Sequence, residues 1–152
     1  MGQRSSRHVG ERLVFEQLEG RSLLSSGGNS FLFTPVPDGT PLAEHIHVHL
    51  TIVVNGQPQT IPAGIGFTPR GFLPIHTHDE SGVIHIESPR LHQFHLSDFF
   101  KVWGQTFNRR DILGHRADAA HPITMLVNGR PSRAFASLVL RDHEDVVINL
   151  GG

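Results

Sequence analysis

The chain has 152 residues, enough for one ordinary domain with a hydrophobic core and hardly for two, and its 13 Lys+Arg against 14 Asp+Glu give a formal charge of -1. That balance supplies no field to gather a nucleic acid or an anionic membrane, and no apolar run reaches the roughly 20 residues a membrane-spanning helix needs. The absence of cysteine removes disulfides, thiolate metal sites and cysteine nucleophiles, while the 12 histidines are far outside average usage and demand an explanation.

Residues 1–30 differ from the rest. Arg4, Arg7, Arg12 and Arg21 sit among small polar residues, and the segment closes on Ser25-Ser26-Gly27-Gly28-Asn29-Ser30. This composition predicts a disordered leader and linker ahead of a domain over 31–152. Within it, Phe15-Glu16-Gln17-Leu18-Glu19-Gly20-Arg21-Ser22-Leu23-Leu24-Ser25 resembles the LEPR-XLL motif found near the N-terminus of many planctomycete surface and exported proteins, with Gly20 where that motif has proline. The resemblance implies export to the cell surface, periplasm or exterior.

From residue 31 the pattern predicts a mainly β fold, a small antiparallel β-sandwich or barrel-like domain built from hairpins with one or two short helices. Residues 45 to 54 alternate strictly, which puts His45, His47, His49, Thr51 and Val53 on one face of a strand and Ile46, Val48, Leu50, Ile52 and Val54 on the other, the core face. Asn55-Gly56 is a strong hairpin turn, so Gln59 to Ile65 is expected to pair back. A second hairpin is expected from Leu73 to Glu87 around the loop Asp79-Glu80-Ser81-Gly82. Ser97 as N-cap, Asp98 and a terminal Gly104 predict one short helix, with Phe99, Phe100, Trp103 and Phe107 as core. Asn108 to Gly114 is read as another helical turn, and strands return at Ile123 to Val127 and Val146 to Leu150. Leu126-Val127-Asn128-Gly129-Arg130-Pro131 echoes Val53-Val54-Asn55-Gly56-Gln57-Pro58, which predicts two hairpins of one design.

The histidines carry the chemistry. On a strand, residues i and i+2 point the same way about 6.6 Å apart, so two imidazoles in a His-x-His pair can converge on one ion at roughly 2.0–2.1 Å. The spacing occurs at His45-x-His47-x-His49 and at His76-x-His78, with His85-x-Glu87 on the expected return strand, where His76 should face His85 and His78 should face Val83. His45, His47, His49, His76, His78 and His85 are therefore the candidate metal ligands. Asp79, Glu80 and Glu87 are candidates for outer partners or for acid/base work, and Asp98 and Asp142 for orienting an imidazole. With nitrogen and oxygen donors alone, zinc or copper(II) stands ahead of iron, and too few carboxylates accompany them for calcium or magnesium.

The stretch from His76 to Pro89, together with His45 to Gly56, Leu96 to Gly104 and Asn128 to Leu150, resembles an uncharacterised family of bacterial and archaeal secreted proteins. Its members share a His-x-His-x-His-Leu strand, an HTHD-x-SG-x-IH-x-ES-P block, an Asp-Phe-Phe…Trp-Gly helix and a closing Asn-Gly hairpin. The resemblance implies export and a grouping of the histidines, and no activity. Three functions compete: an extracytoplasmic protein that holds zinc or copper on adjacent strands; a small metalloenzyme with an open coordination position, either a cupin-like oxygenase or a metal-dependent hydrolase; and, least favoured, a sulfur carrier, since Ile148-Asn149-Leu150-Gly151-Gly152 resembles the Gly-Gly end of ubiquitin-like carriers. The metal is the expected partner, with no nucleic acid and no transmembrane segment. A histidine strand at an edge can also share an ion across a homo-oligomer.

Overall fold

The alternation at the start of the domain becomes the longest strand, β1 (Glu44–Val54), in a computed structural model that describes residues 30–152. The leader motif and His8 lie outside the described residues. In β1 the side chains of Val48, Leu50, Ile52 and Val54 are buried, and the histidines occupy the opposite, more open face. Asn55 and Gly56 both take positive φ, at 50° and 79°, and turn the chain into β2 (Gln57–Pro58). The return is shorter than expected. After the Gln59 amide donates to the Ile52 carbonyl the pairing stops, because Pro58 and Pro62 have no N–H to give and Gly64 and Gly66 bend the chain at φ 76° and 81°.

A small hairpin, β3 (Phe67–Thr68) and β4 (Gly71–Phe72), leads to the pair β5 (Ile75–His76) and β6 (Val83–Ser88). His76 faces His85 in the ladder, as the spacing predicts. The ladder ends there, since Thr77 turns instead to segment 62–65: its amide donates to Ile65 O at 3.0 Å and its hydroxyl to Pro62 O at 2.7 Å. His78 thus leaves the ladder, and Val83 faces His49 on β1.

Helix α1 (Leu96–Trp103) starts at an N-cap on His95, two residues before Ser97, because the Asp98 carboxylate reaches back to the His95 amide at 2.8 Å. Gly104 closes it in the left-handed conformation. Residues 108–114 contain no helix. Leu113 and Gly114, at φ 51° and 81°, form the tip of a hairpin between β7 (Asp111–Ile112) and β8 (His115–Arg116). The chain then forms β9 (Ile123–Val127), β10 (Arg130–Pro131), a 3-10 turn at Phe135–Ser137 and β11 (Glu144–Leu150). The echoed six-residue motif is structural. Asn128-Gly129 repeats the turn of Asn55-Gly56, with φ of 52° and 78°, and opens an equally short return strand.

The fold is mainly β and hairpin-built, with one sheet in the order β10-β9-β11-β1-β6-β5, to which β2 adds on β1, and two separate two-stranded hairpins. The sheet does not close into a barrel. Its central pair, β1 with β11, is parallel, with Val48 opposite Glu144 and Val54 opposite Leu150. One face is aliphatic: Val48, Leu50, Ile52, Ile84, Ile86, Val146, Ile148 and Met125 are all nearly inaccessible, and with Leu96, Phe99 and Phe100 of α1 they belong to the core of the unit Thr34–Gly152. Phe99→Ala should therefore cost about 3–5 kcal/mol of folding stability, read as a lower denaturation midpoint, and a loss below ~1 kcal/mol would contradict this packing.

Candidate metal centre

Strand order decides which imidazoles meet. β6 lies between β1 and β5, so His47, His85 and His76 form one row across three strands, with His47 opposite His85 and His85 opposite His76. The next row sets His45 opposite Glu87. Because residues two apart share a face, all of these side chains project to the side away from the aliphatic core.

Two groups of three donors result. The ligand atoms of His45, His47 and His85 all lie within 4.8 Å of one another, and so do those of His76, His78 and Glu87. His76 and His78 bring their Nε2 atoms to 3.3 Å, and two nitrogens bound to one tetrahedral ion at about 2.05 Å are separated by about 3.3 Å. The His47 and His85 rings are 4.7 Å apart and the His78 and His85 rings 4.3 Å, centroid to centroid.

Several neighbours fix the donors. His76 is wholly buried, and its Nδ1 lies 2.8 Å from the Leu73 carbonyl, which can only accept; the ring therefore donates from Nδ1 and turns the lone pair of Nε2 toward His78 and Glu87. Burial pushes the His76 pKa down, against the opposing pull of the Leu73 carbonyl and Glu87, which keeps the ring in the neutral form a metal requires. Burial, followed by the imidazoles of His78, His47 and His76, pushes His85 down to about 4. The His85 Nδ1 is buried without a hydrogen-bond partner among the described residues, and the nearest Glu87 oxygen is 3.9 Å away. A buried polar atom without a partner costs about 1–3 kcal/mol, a penalty that an ion at this position would relieve.

The same shifts give the metal-free protein a defined acid response. His85 titrates about 4 when folded and near its ordinary 6.5 when unfolded, and His76 moves in the same direction. Between those values the unfolded chain binds more protons, so folding stability is full above 6.5 and falls as the pH drops toward 4. Chemical denaturation of the metal-free protein should show a lower midpoint at pH 5 than at pH 7; an equal or higher one would contradict the burial of these rings.

The remaining candidates occupy other positions. His49 stands apart from both groups: its Nδ1 lies 2.8 Å from Asp145 on β11 and its Nε2 3.1 Å from the Ser81 carbonyl. Asp79 shapes the 77–82 turn by accepting from the Ser81 amide at 2.9 Å, and the hydrogen bonds from Ser81 hold its carboxyl below the usual carboxylate value. Glu80 is exposed in the same turn. Asp142 accepts from the His47 backbone amide at 2.9 Å and so positions β1, while Asp98 is occupied at the start of α1.

Two aromatic residues complete the surroundings of the donors. Phe67 and Phe72 of the β3–β4 hairpin wall the cluster: Phe67 sets its ring edge-on to His76 and His78 at 5.4 and 5.3 Å, and Phe72 lies 4.7 Å from His76. Phe67 is half exposed, an apolar rim beside the open imidazoles. Their only trace in the sequence is a pair of phenylalanines flanking a turn. No family model matches the chain, and no curated protein or solved structure shows significant similarity to it.

Proposed function

We propose that this is an extracytoplasmic metal-binding protein that holds zinc or copper(II) through imidazoles on adjacent β-strands. The observation that carries the reading is the convergence of five histidines and Glu87 from β1, β5, β6 and the turn after β5 into two groups of donors spaced for a shared ion. The donor chemistry supports borderline transition metals, since neutral imidazole with one carboxylate suits zinc and copper and offers too little oxygen for calcium. Support for export comes from the LEPR-XLL-like segment at 15–25 and the resemblance to secreted His-rich proteins.

Thermal unfolding of the full chain tests the metal assignment. Zinc or copper(II) at 100 times its Kd should stabilise the fold by about 2.7 kcal/mol, reversed by a chelator, and absence of a shift with both ions would defeat the reading. Fractionation of producing cells tests export, which recovery from the cytosol alone would rule out. A second reading rests on the group His76, His78 and Glu87, the two-histidine, one-carboxylate set that iron(II) enzymes use with open positions. It requires an exchangeable water on the bound ion, measurable by proton relaxation on copper-loaded protein, and a closed coordination shell would remove it.

A further inference from the structure

We propose that the centre is dinuclear, with Glu87 bridging two cations, one held by His45, His47 and His85 and the other by His76 and His78. The inference rests on the metal-binding reading above and goes beyond it in number, in the role of Glu87 and in the coordination of each ion.

The donors form two groups that meet at Glu87. Six side chains fall into two groups of three, too many for one four-coordinate zinc or copper ion. The two oxygens of Glu87 point to different groups: Oε1 lies 3.3 Å from His45 Nε2 and 3.9 Å from His85 Nδ1, whereas Oε2 lies 3.9 Å from His76 Nε2. A carboxylate that chelated one ion with both oxygens would turn both toward a single set of nitrogens, which Glu87 does not. The cause lies in the topology, because Glu87 stands on the middle strand β6 with β1 on one side and β5 on the other. Glu87 is only 15 % exposed, so its charge is poorly screened by water and can offset the repulsion between two dications. Two-metal sites hold their ions about 3.5–4 Å apart, a distance one carboxylate can span.

The count of donors differs between the two ions. The first receives three imidazoles and one carboxylate oxygen, a closed tetrahedral set. The second receives two imidazoles and the other oxygen, which leaves one position for water or another small ligand. That position is bordered by the exposed His78 and by the half-exposed ring of Phe67, so any such ligand reaches the ion from solvent past an apolar edge.

Native mass spectrometry of the full chain titrated with zinc, paired with electron paramagnetic resonance of the copper(II)-loaded chain, tests the proposal. Wild type should take up two zinc ions. At two equivalents of copper(II) the spectrum should show a half-field transition, or an integrated intensity well below the copper content. Glu87→Gln should hold one zinc, because His45, His47 and His85 remain while His76 and His78 lose their third donor; circular dichroism checks that this variant is folded, and wild-type copper resonance stands independently of it. Saturation of wild type at one zinc overturns the dinuclear proposal and leaves the metal-binding reading intact. Two coppers with uncoupled spectra, or two zinc ions retained by folded Glu87→Gln, overturn the bridge. Uptake of neither metal overturns both readings.

Discussion

Replacing His85 with alanine and Glu87 with glutamine together is expected to lower zinc affinity at least about 100-fold, the upper end of what losing even an outer partner of a metal ligand costs. Both residues project from β6, the strand that stands between the other histidines. Without them each group keeps two imidazoles, His45 with His47 and His76 with His78, and only the neutral amide at position 87 remains between the pairs. The fold should tolerate the change. Among the described residues His85 Nδ1 has no hydrogen-bond partner to lose, and the ion pairs of the Glu87 side chain are with the cluster's own imidazoles. The matched control is His115→Ala with His121→Ala, two histidines outside both groups, which should leave zinc affinity unchanged. Equal losses from the two double variants, measured by competition with a zinc indicator, would show that the cluster has no special role.

Gly66→Ala should destabilise the protein by about 2–5 kcal/mol and weaken metal binding at the same time. Gly66 sits at φ 81°, a conformation that costs a side-chain-bearing residue about 1–2 kcal/mol. A Cβ there would also lie 2.7 Å from the Ile75 carbonyl and 2.9 Å from the His76 Cβ, an overlap of the kind that costs about 1–3 kcal/mol in a packed interior. Relief requires β5 to move, and His76 moves with it. The expected signature is a lower unfolding midpoint together with weaker zinc binding measured on the still-folded fraction. Gly129→Ala supplies the contrast: it carries a similar φ of 78° with nothing within 4 Å, so it should lose only the conformational part and bind zinc as wild type does. A Gly66→Ala protein as stable as wild type would contradict the close approach of these two segments.

Local chemistry was the legible part of this sequence. The period-two alternation of 45–54 put Val48, Leu50, Ile52 and Val54 of β1 on the buried face, the two Asn-Gly turns are real, and the pairing of His76 with His85 followed from one tight loop. Each of these depends on residues close together in the chain. What escaped was set by pairing across long separations. Nothing near His45 announces that β6 rather than β2 carries most of its partners, or that β11, some 96 residues away, lies parallel to β1 and places Asp145 against His49. His49, indistinguishable from His45 and His47 by spacing, faces Val83 on β6 and bonds to Asp145, and so stands outside both groups. The helical reading of 108–114 failed for a different reason: Leu113 adopts positive φ, a conformation its side chain disfavours and its sequence does not advertise. Phe67 and Phe72 reach the imidazoles only because Gly66 and Gly71 fold the β3–β4 hairpin over them.

The imidazoles on β1, β5 and β6, with His78 beside them, are expected to hold a transition metal. Elemental analysis decides it most directly: the full chain is loaded with zinc or copper(II) at pH 7.5, dialysed against metal-free buffer and assayed for metal per chain. At least one tightly held ion per chain is expected, released on acidification as the imidazoles protonate. A folded protein that emerges from dialysis free of both metals would contradict it.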